Sequence, residues 1–266
     1  MSKATVESFE YQWKTLPKGD FLLSDESWRK NVDSYILDEL QMTRNRIRGM
    51  KVLDAGCGQG RWSLGFEKLG CKVYGFDITS SAVRSARRNV KGRFDAASVL
   101  DKGRLDALYG AERFDLVWCW GVLHHTPDPK QGFDNLTALL ATKGMIHIYV
   151  YGMKGPVSRF WRWIFGRFGL AVKERLARII SRIGLWLQRT FNRKNPPVVG
   201  RLLRRLFPAY TPHTIFDAFS PRIASEHTQR EVKAWFQSNG LRVVFHRPSW
   251  GGSKTSTDIW ATGWMK

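Results

Sequence analysis

A short stretch of the chain carries the residue types and spacing needed to hold a nucleoside. In 51–62, KVLDAGCGQGRW, glycines stand at alternate positions, Gly56, Gly58 and Gly60, just after Asp54. A second apolar run, Cys71 to Phe76, ends in Asp77. Glycines in such a turn let a ligand approach the backbone and permit positive φ where the chain reverses. A carboxylate at the tip of the next strand can accept both hydroxyl hydrogens of a ribose. Two commoner phosphate binders fit less well. A dinucleotide fingerprint needs glycine at position 61, which is Arg61, and a phosphate loop needs Gly-Lys-Ser/Thr where Gly60-Arg61-Trp62 stands.

With VLDAGCGQG as a first motif and YGFDIT as an acidic ribose-binding motif, the chain resembles the class I S-adenosylmethionine-dependent methyltransferases. The resemblance implies S-adenosylmethionine as cofactor. Gly56, Gly58 and Gly60 would admit its methionine and ribose, Asp54 would order the turn or meet the amino group, and Asp77 would hold the ribose. FDAASVLD offers two ways to contact the adenine, through Asp95 or through Ser98 and Val99, and the resemblance favours the second. GVLHHTPDP resembles the loop after the family's fourth strand, at the carboxyl edge of the sheet where open α/β folds bind ligands. Trp120 and Gly121 are therefore expected on the cofactor side. His124 and His125 are the candidate proton carriers, because imidazole titrates near neutrality; both also suit a structural role in that loop. No metal is expected. The FD-x-FSP segment, with His213, Asp217 and Ser220, would border the acceptor pocket by the same resemblance.

The elements that must position these residues follow from the pattern. Val52 and Leu53 end a buried strand, Trp62 to Leu69 is helical, and a helix from Thr79 or Ser80 to Asn89 follows the second strand. A third strand lies near Arg93 to Ala97, with Asp101 a cap or surface residue. Phe114 to Trp120 is an apolar run long enough for a central strand. A helix from Gln131 to Ala141 and a turn at Gly144 lead to a fifth strand, Met145 to Tyr151. Thr228-Gln229-Arg230-Glu231 has capping-box spacing for a helix ending at Gly240. Leu241 to Phe245 and Ile259 to Trp264 supply an antiparallel pair. The expected architecture is α/β: a Rossmann-like, seven-stranded, mostly parallel sheet with helices on both faces and a basic helical insertion after strand five.

Three parts are expected: a lid or cap over 1–40, rich in aromatics such as Phe9, Tyr11, Trp13, Phe21 and Trp28; a cofactor-binding domain over 41–153 and 208–266; and the insertion over 154–207. Lys and Arg number 43 against 23 Asp and Glu, for a formal charge of +20. From Lys154 to Phe207 there are fourteen basic residues and one acid, Glu174, so the excess is concentrated there. Val172, Leu176, Ile179, Ile180, Ile183 and Leu187 form an apolar stripe at helical period, flanked by Arg175, Arg178, Arg182 and Arg189. VSRFWRWIFGRF interleaves arginine with large aromatics, as a helix at a membrane interface does, and Asn195-Pro196-Pro197 breaks the chain before a shorter basic segment. The alternative is a cap whose stripe packs on the core.

The absence of CxxC spacing among Cys57, Cys71 and Cys119, of an apolar leader, and of a membrane-length apolar run points to a cytoplasmic protein, with the inner membrane face as an optional location. The expected activity is methylation of oxygen or nitrogen on a small-molecule or lipid-linked acceptor. The main alternative is a tRNA or rRNA methyltransferase gripping nucleic acid through the insertion, and a third is a catalytically silent binding protein. Oligomeric state and acceptor identity are not encoded legibly.

Overall fold

The computed structural model describes residues 3–16, 22–191, 198–247 and 257–265. Phe21 and the Asn195-Pro196-Pro197 break lie outside them. In chain order the elements are α1 (Lys3–Thr15), α2 (Glu26–Leu40), α3 (Arg44–Ile47), β1 (Lys51–Ala55), α4 (Arg61–Lys68), β2 (Lys72–Asp77), α5 (Ser80–Asn89), β3 (Arg93–Ala96), α6 (Lys102–Tyr109), β4 (Phe114–Trp120), α7 (Pro129–Thr137) and β5 (Leu140–Val150). They continue with α8 (Pro156–Phe165), α9 (Leu170–Thr190), α10 (Val198–Leu206), α11 (Pro212–Phe219), α12 (Gln229–Ser238), β6 (Leu241–His246) and β7 (Ile259–Met265). A single 3-10 turn, Leu123–His125, follows β4.

The strands form one seven-stranded sheet in the order β3-β2-β1-β4-β5-β7-β6. Strands β1 to β5 run parallel, and β7 runs antiparallel to both β5 and β6. Strand order reverses at β1, which lies between β2 and β4, so the sheet's binding crevice opens at the carboxyl ends of β1 and β4. The central strands are apolar because helices cover both faces. On one face Trp28, Val32 and Ile36 of α2 meet Trp62 and Phe66 of α4 over Trp118. On the other, Tyr109, Phe133 and Phe236 close over Phe114 and Ile146. Burying side chains of this size contributes roughly 1.5–3 kcal/mol each relative to exposure.

Local chemistry explains five of the helix starts. Asp25, Asp101, Asp128, Thr211 and Thr228 each cap with a side-chain oxygen accepting from a backbone N–H of the first turn. Two boundaries differ from the sequence expectation. Strand β5 begins at Leu140, and Gly144 sits inside it at an irregularity where the pairing with β4 shifts register and Lys143 adopts φ +66°. Between the Phe114–Leu140 and Leu116–Met145 pairs β5 carries three more residues than β4, and such an irregularity reads as a turn in sequence because both use residues tolerant of unusual φ. Helix α7 accordingly ends at Thr137.

Helices α8, α9 and α11 make a separate small core of Trp161, Phe165, Ala177, Ile180, Phe216 and Phe219, joined by Leu16 just beyond α1. The stripe expected on α9 is therefore two stripes. Ala177, Ile180, Ser181, Gly184 and Leu187 are buried, whereas Val172 and Ile179 are exposed.

Candidate functional site

The glycine turn follows β1 directly. Gly56 and Cys57 both donate their N–H to the carbonyl of Phe76, at 2.8 and 2.9 Å, which pins the turn to the end of β2. Gly56 and Gly58 have φ of +79° and +52°. A Cβ on Gly56 would fall 2.2 Å from Val122 Cγ2, and one on Gly58 would fall 2.8 Å from the Trp13 ring, so both positions exclude side chains by space as well as by φ. Gly58 N–H donates to Asp77 Oδ2 at 3.0 Å. The other carboxylate oxygen accepts from Thr79 N–H at 2.9 Å and Thr79 Oγ1–H at 2.7 Å. Burial pushes the Asp77 carboxyl above its ordinary range, opposed by these donors. Each oxygen has more than one acceptor site, so the carboxylate keeps capacity for hydroxyls in the cavity.

That cavity has a volume of about 880 Å³. Its walls carry Gly56, Gly58, Asp77, Ser98, Val99, Trp120, Gly121, His124 and His125. Asp54 and Gly60 lie one layer behind. The buried Asp54 carboxylate accepts from Ser63 Oγ at 2.5 Å, beneath the first turn of α4, and burial pushes its pKa up to about 7. The arrangement is one of ordering the turn, not of meeting a ligand's amino group. Gly60, at φ +90°, caps α4 against Ala86 and Val90 of the α5 end. The two alternatives at the third strand lie in different places: Ser98 and Val99 line the cavity and Asp95 does not. Asp95 is engaged by Arg93 at 3.0 Å and accepts from Tyr109 Oη at 3.4 Å, away from the cavity, while Ala97 N–H bonds Asp77 carbonyl and carries Ser98 and Val99 onto the wall.

The adjacent histidines have opposite polarity. His125 Nδ1 lies 2.9 Å from the carbonyl oxygen of Ile223, which can only accept, so the proton is on Nδ1 and Nε2 keeps its lone pair. His124 Nδ1 instead accepts the Tyr151 N–H at 3.3 Å, which leaves the proton on Nε2. Burial lowers both pKa values below 6.5, that of His124 strongly, while the Asp217 charge partly offsets the effect at His125. Both rings are neutral at pH 7. His124 stacks on Tyr151 at 3.7 Å between centroids; both rings are buried at the cavity wall, and the Nε2 of each has no hydrogen-bond partner among the described residues. Among the described residues no group of three or more His, Cys, Asp or Glu is arranged to hold a metal ion.

The far half of the cavity is walled by parts of the chain remote in sequence. Tyr149 Oη donates to Asp258 at 3.0 Å, Gly152 N–H donates to the same carboxylate at 3.1 Å, and Lys154 pairs with it. Arg162 of α8 lies 5.6 Å from the Tyr151 ring centroid and pairs with Glu226 at 3.2 Å. His213 and Asp217 of α11 also line it, whereas buried Ser220 bonds Ser8 of α1. No local pattern announced Asp258, Lys154 or Arg162, because their partners are far away in the chain. Helix α1 covers both halves. Trp13 stands over Gly58, Phe9 meets His125 edge-on at 5.2 Å, Gln12 bonds His213 at 2.9 Å, and Tyr11 Oη donates to Glu174 at 2.7 Å.

Comparison with known proteins fits this geometry. A family model described as a methyltransferase domain matches residues 28–246. A ubiquinone biosynthesis O-methyltransferase of Actinobacillus pleuropneumoniae serotype 7 is 32% identical over 115 residues, 41% of this chain and 49% of that protein. One from Histophilus somni is 32% identical over 152 residues, 53% of this chain and 60% of that protein. The chain thus spans about half the length of these curated relatives. Among solved structures, PKMT2 from Rickettsia typhi in complex with AdoHcy superimposes with a TM-score of 0.61 at 16% identity, covering 90% of this chain and 54% of that one. Magnesium protoporphyrin IX methyltransferase from Synechocystis with bound SAM gives 0.51 at 15% identity, covering 90% and 79%. At such identities these structures speak for the fold.

Proposed function

We propose, from the premise that the chain belongs to the methyltransferase-domain family, that it methylates a small-molecule or lipid-linked acceptor with S-adenosylmethionine. The observation that carries the reading is the joining of the glycine turn to a ribose-height carboxylate, Gly58 N–H to Asp77 Oδ2, on the wall of one cavity large enough for two ligands. The residues fit the cofactor: Cβ-free Gly56 and Gly58 for its methionine and ribose, Asp77 for the ribose hydroxyls, Ser98 and Val99 for the adenine edge, and Trp120 beneath the sulfonium end. Bound there, S-adenosylmethionine supplies an electrophilic methyl group for in-line displacement, a reaction in which positioning can contribute most of the rate. His125 Nε2 takes the proton of a hydroxyl acceptor as the oxygen–methyl bond forms, and the nearby Asp217 carboxylate stabilises the imidazolium. His124 holds the loop by accepting from the Tyr151 N–H. Helix α1 acts as the lid of the site, since Trp13 and Phe9 lie over its two halves.

The insertion, over 154–207, rests on an anionic membrane surface. On α9 the exposed Val172, Ile179 and Trp186 repeat every seven residues and so share one side, and Arg175, Arg182 and Arg189 repeat at the same interval beside them. Buried, exposed apolar and basic stripes on one helix describe an element lying at a lipid interface. Phe160, Trp163 and Phe168 extend the exposed apolar surface from α8, and no helix among the described residues is long and apolar enough to cross a membrane. The setting we infer is the cytoplasm, at the inner face of the membrane. RNA, the other polyanion to consider, has no specific observation in its favour. Incubation with methyl-labelled cofactor and separated lipid, small-molecule and RNA pools tests the assignment. Label is expected in the lipid or small-molecule pool; label confined to RNA overturns it.

A further inference from the structure

Two cations meet over one ring in the half of the cavity away from the glycine turn. Lys154 Nζ lies 4.8 Å and Arg162 Cζ 5.6 Å from the centroid of the Tyr151 ring, and all three residues line the cavity. The two side chains are only 22% and 20% exposed, so water screens them poorly and their mutual repulsion has to be offset. Glu226 holds both from behind. Its Oε2 accepts the Lys154 N–H at 3.0 Å, and its Oε1 accepts from Arg162 Nη1 at 3.2 Å. The carbonyl oxygens of Ala224 and Ala218 accept from Nη1 and Nε of the same guanidinium, at 2.9 and 3.4 Å. Lys154 Nζ donates to Asp258. These contacts fix one edge of the guanidinium and one of the three ammonium donors, and leave Arg162 Nη2 and the other lysine donors for a ligand.

The ring that carries the two cations is 5.6 Å from the His125 ring, centroid to centroid, and Tyr149, Trp161 and Trp260 add aromatic surface to the same part of the cavity. A group at His125 and a group at the cations are therefore separated by about the span of one aromatic ring. We propose that Lys154 and Arg162 form an anion subsite for the acceptor, which is a hydroxylated aromatic ring: its hydroxyl meets His125, and a carboxylate or phosphate across the ring meets the two cations. The proposal rests on the methyl-transfer reading above and narrows the acceptor to a ring bearing an anionic group. Because Glu226 and the two carbonyls already hold the guanidinium in place, little side-chain freedom is lost when the anion arrives.

The test is calorimetric titration of the full chain, first saturated with S-adenosylhomocysteine, with 4-hydroxybenzoate, 4-hydroxyphenyl phosphate and the uncharged 4-hydroxybenzamide. At least one of the two anions is expected to bind about tenfold more tightly than the amide, the gain from charge-assisted contacts at a partly exposed site. The tighter anion tells carboxylate from phosphate. Arg162→Gln and Lys154→Gln should each bring that anion to within about threefold of the amide. Equal binding of all three probes by the wild type, or binding of none, overturns the proposal without any variant. So does a preference that survives in either variant, which puts the anion elsewhere in the cavity. A chain that does not take up S-adenosylhomocysteine removes the cofactor reading, and the proposal with it. Thermal unfolding by circular dichroism identifies a variant that is not folded, in which case the wild-type comparison and the other variant decide.

Discussion

Glu39 Oε2 lies 2.7 Å from His147 Nε2, with both side chains completely buried beneath the sheet. Burial drives the carboxyl well above its ordinary 4.5 and the imidazole down to about 3, so the pair holds a single proton and no net charge. Trp120 Nε1 donates to the same carboxyl at 3.2 Å, and His147 Nδ1 bonds Thr262 Oγ1 at 2.9 Å. The pair thus ties α2 to β4, β5 and β7, and it props the indole on which Arg61 lies.

Glu39→Gln follows from the linkage sign. Above pH 4.5 the unfolded chain releases the Glu39 proton and the folded chain keeps it, so this group makes wild-type stability fall as pH rises. Glutamine has no such dependence. As pH rises above about 5 the variant should therefore gain on the wild type, with a slope of at most about 1.4 kcal/mol per pH unit. Urea unfolding at three pH values measures it; parallel stability curves would show that Glu39 is ionised in the folded state.

Asp77→Ala removes the carboxylate proposed above to hold the ribose. Loss of two hydrogen bonds to a charged acceptor predicts about 100-fold weaker cofactor binding by calorimetry. The fold should persist, because Gly56 and Cys57 remain anchored to the Phe76 carbonyl. Unchanged affinity would remove Asp77 from the site.

His125→Gln should lower kcat about 100-fold while leaving cofactor affinity within threefold. Because burial holds the imidazole pKa below 6.5, wild-type kcat/KM should rise through an inflection below that pH and be level from pH 7 to 8. The variant should lose that acid limb. A variant profile that keeps the limb assigns the titration to another group.

Trp163→Ser and Trp186→Ser should each weaken binding to phosphatidylglycerol-containing vesicles about tenfold in sedimentation assays. Arg175→Gln and Arg182→Gln should each weaken it about fivefold, with most of that difference lost at high salt. Unchanged binding of the two arginine variants to the phosphatidylglycerol vesicles would dismiss the basic stripe as an anionic-lipid contact.

How much could be read in advance tracks how local each feature is. The turn from Asp54 to Gly60 and the Asp77 strand tip are one strand-turn-helix-strand unit, so spacing alone located them. Ser98-Val99 and Asp95 were harder to separate, because a four-residue strand carries too few alternations to fix its register; in the structure Asp95 pairs with Arg93 and Arg87 while Ser98 and Val99 line the cavity. On α9 helical period told which residues share a side and not which side finds a partner. Its buried face is built from Ala177, Ser181 and Gly184, where a Cβ on Gly184 would strike the Pro208 carbonyl at 2.3 Å, and small residues leave almost no hydropathy signal. The far wall was invisible because Asp258 meets Tyr149, Gly152 and Lys154 only after the antiparallel β7 returns to β5.

The fastenings of α1 have a kinetic corollary. One helix is buttoned at Ser8 to Ser220, at Gln12 to His213 and at Tyr11 to Glu174, while its Trp13 shuts the glycine bend and its Phe9 shuts the imidazole. Under the lid reading proposed above, spent nucleoside and product both leave past this helix, so cutting any one of these three ties should speed the release of both.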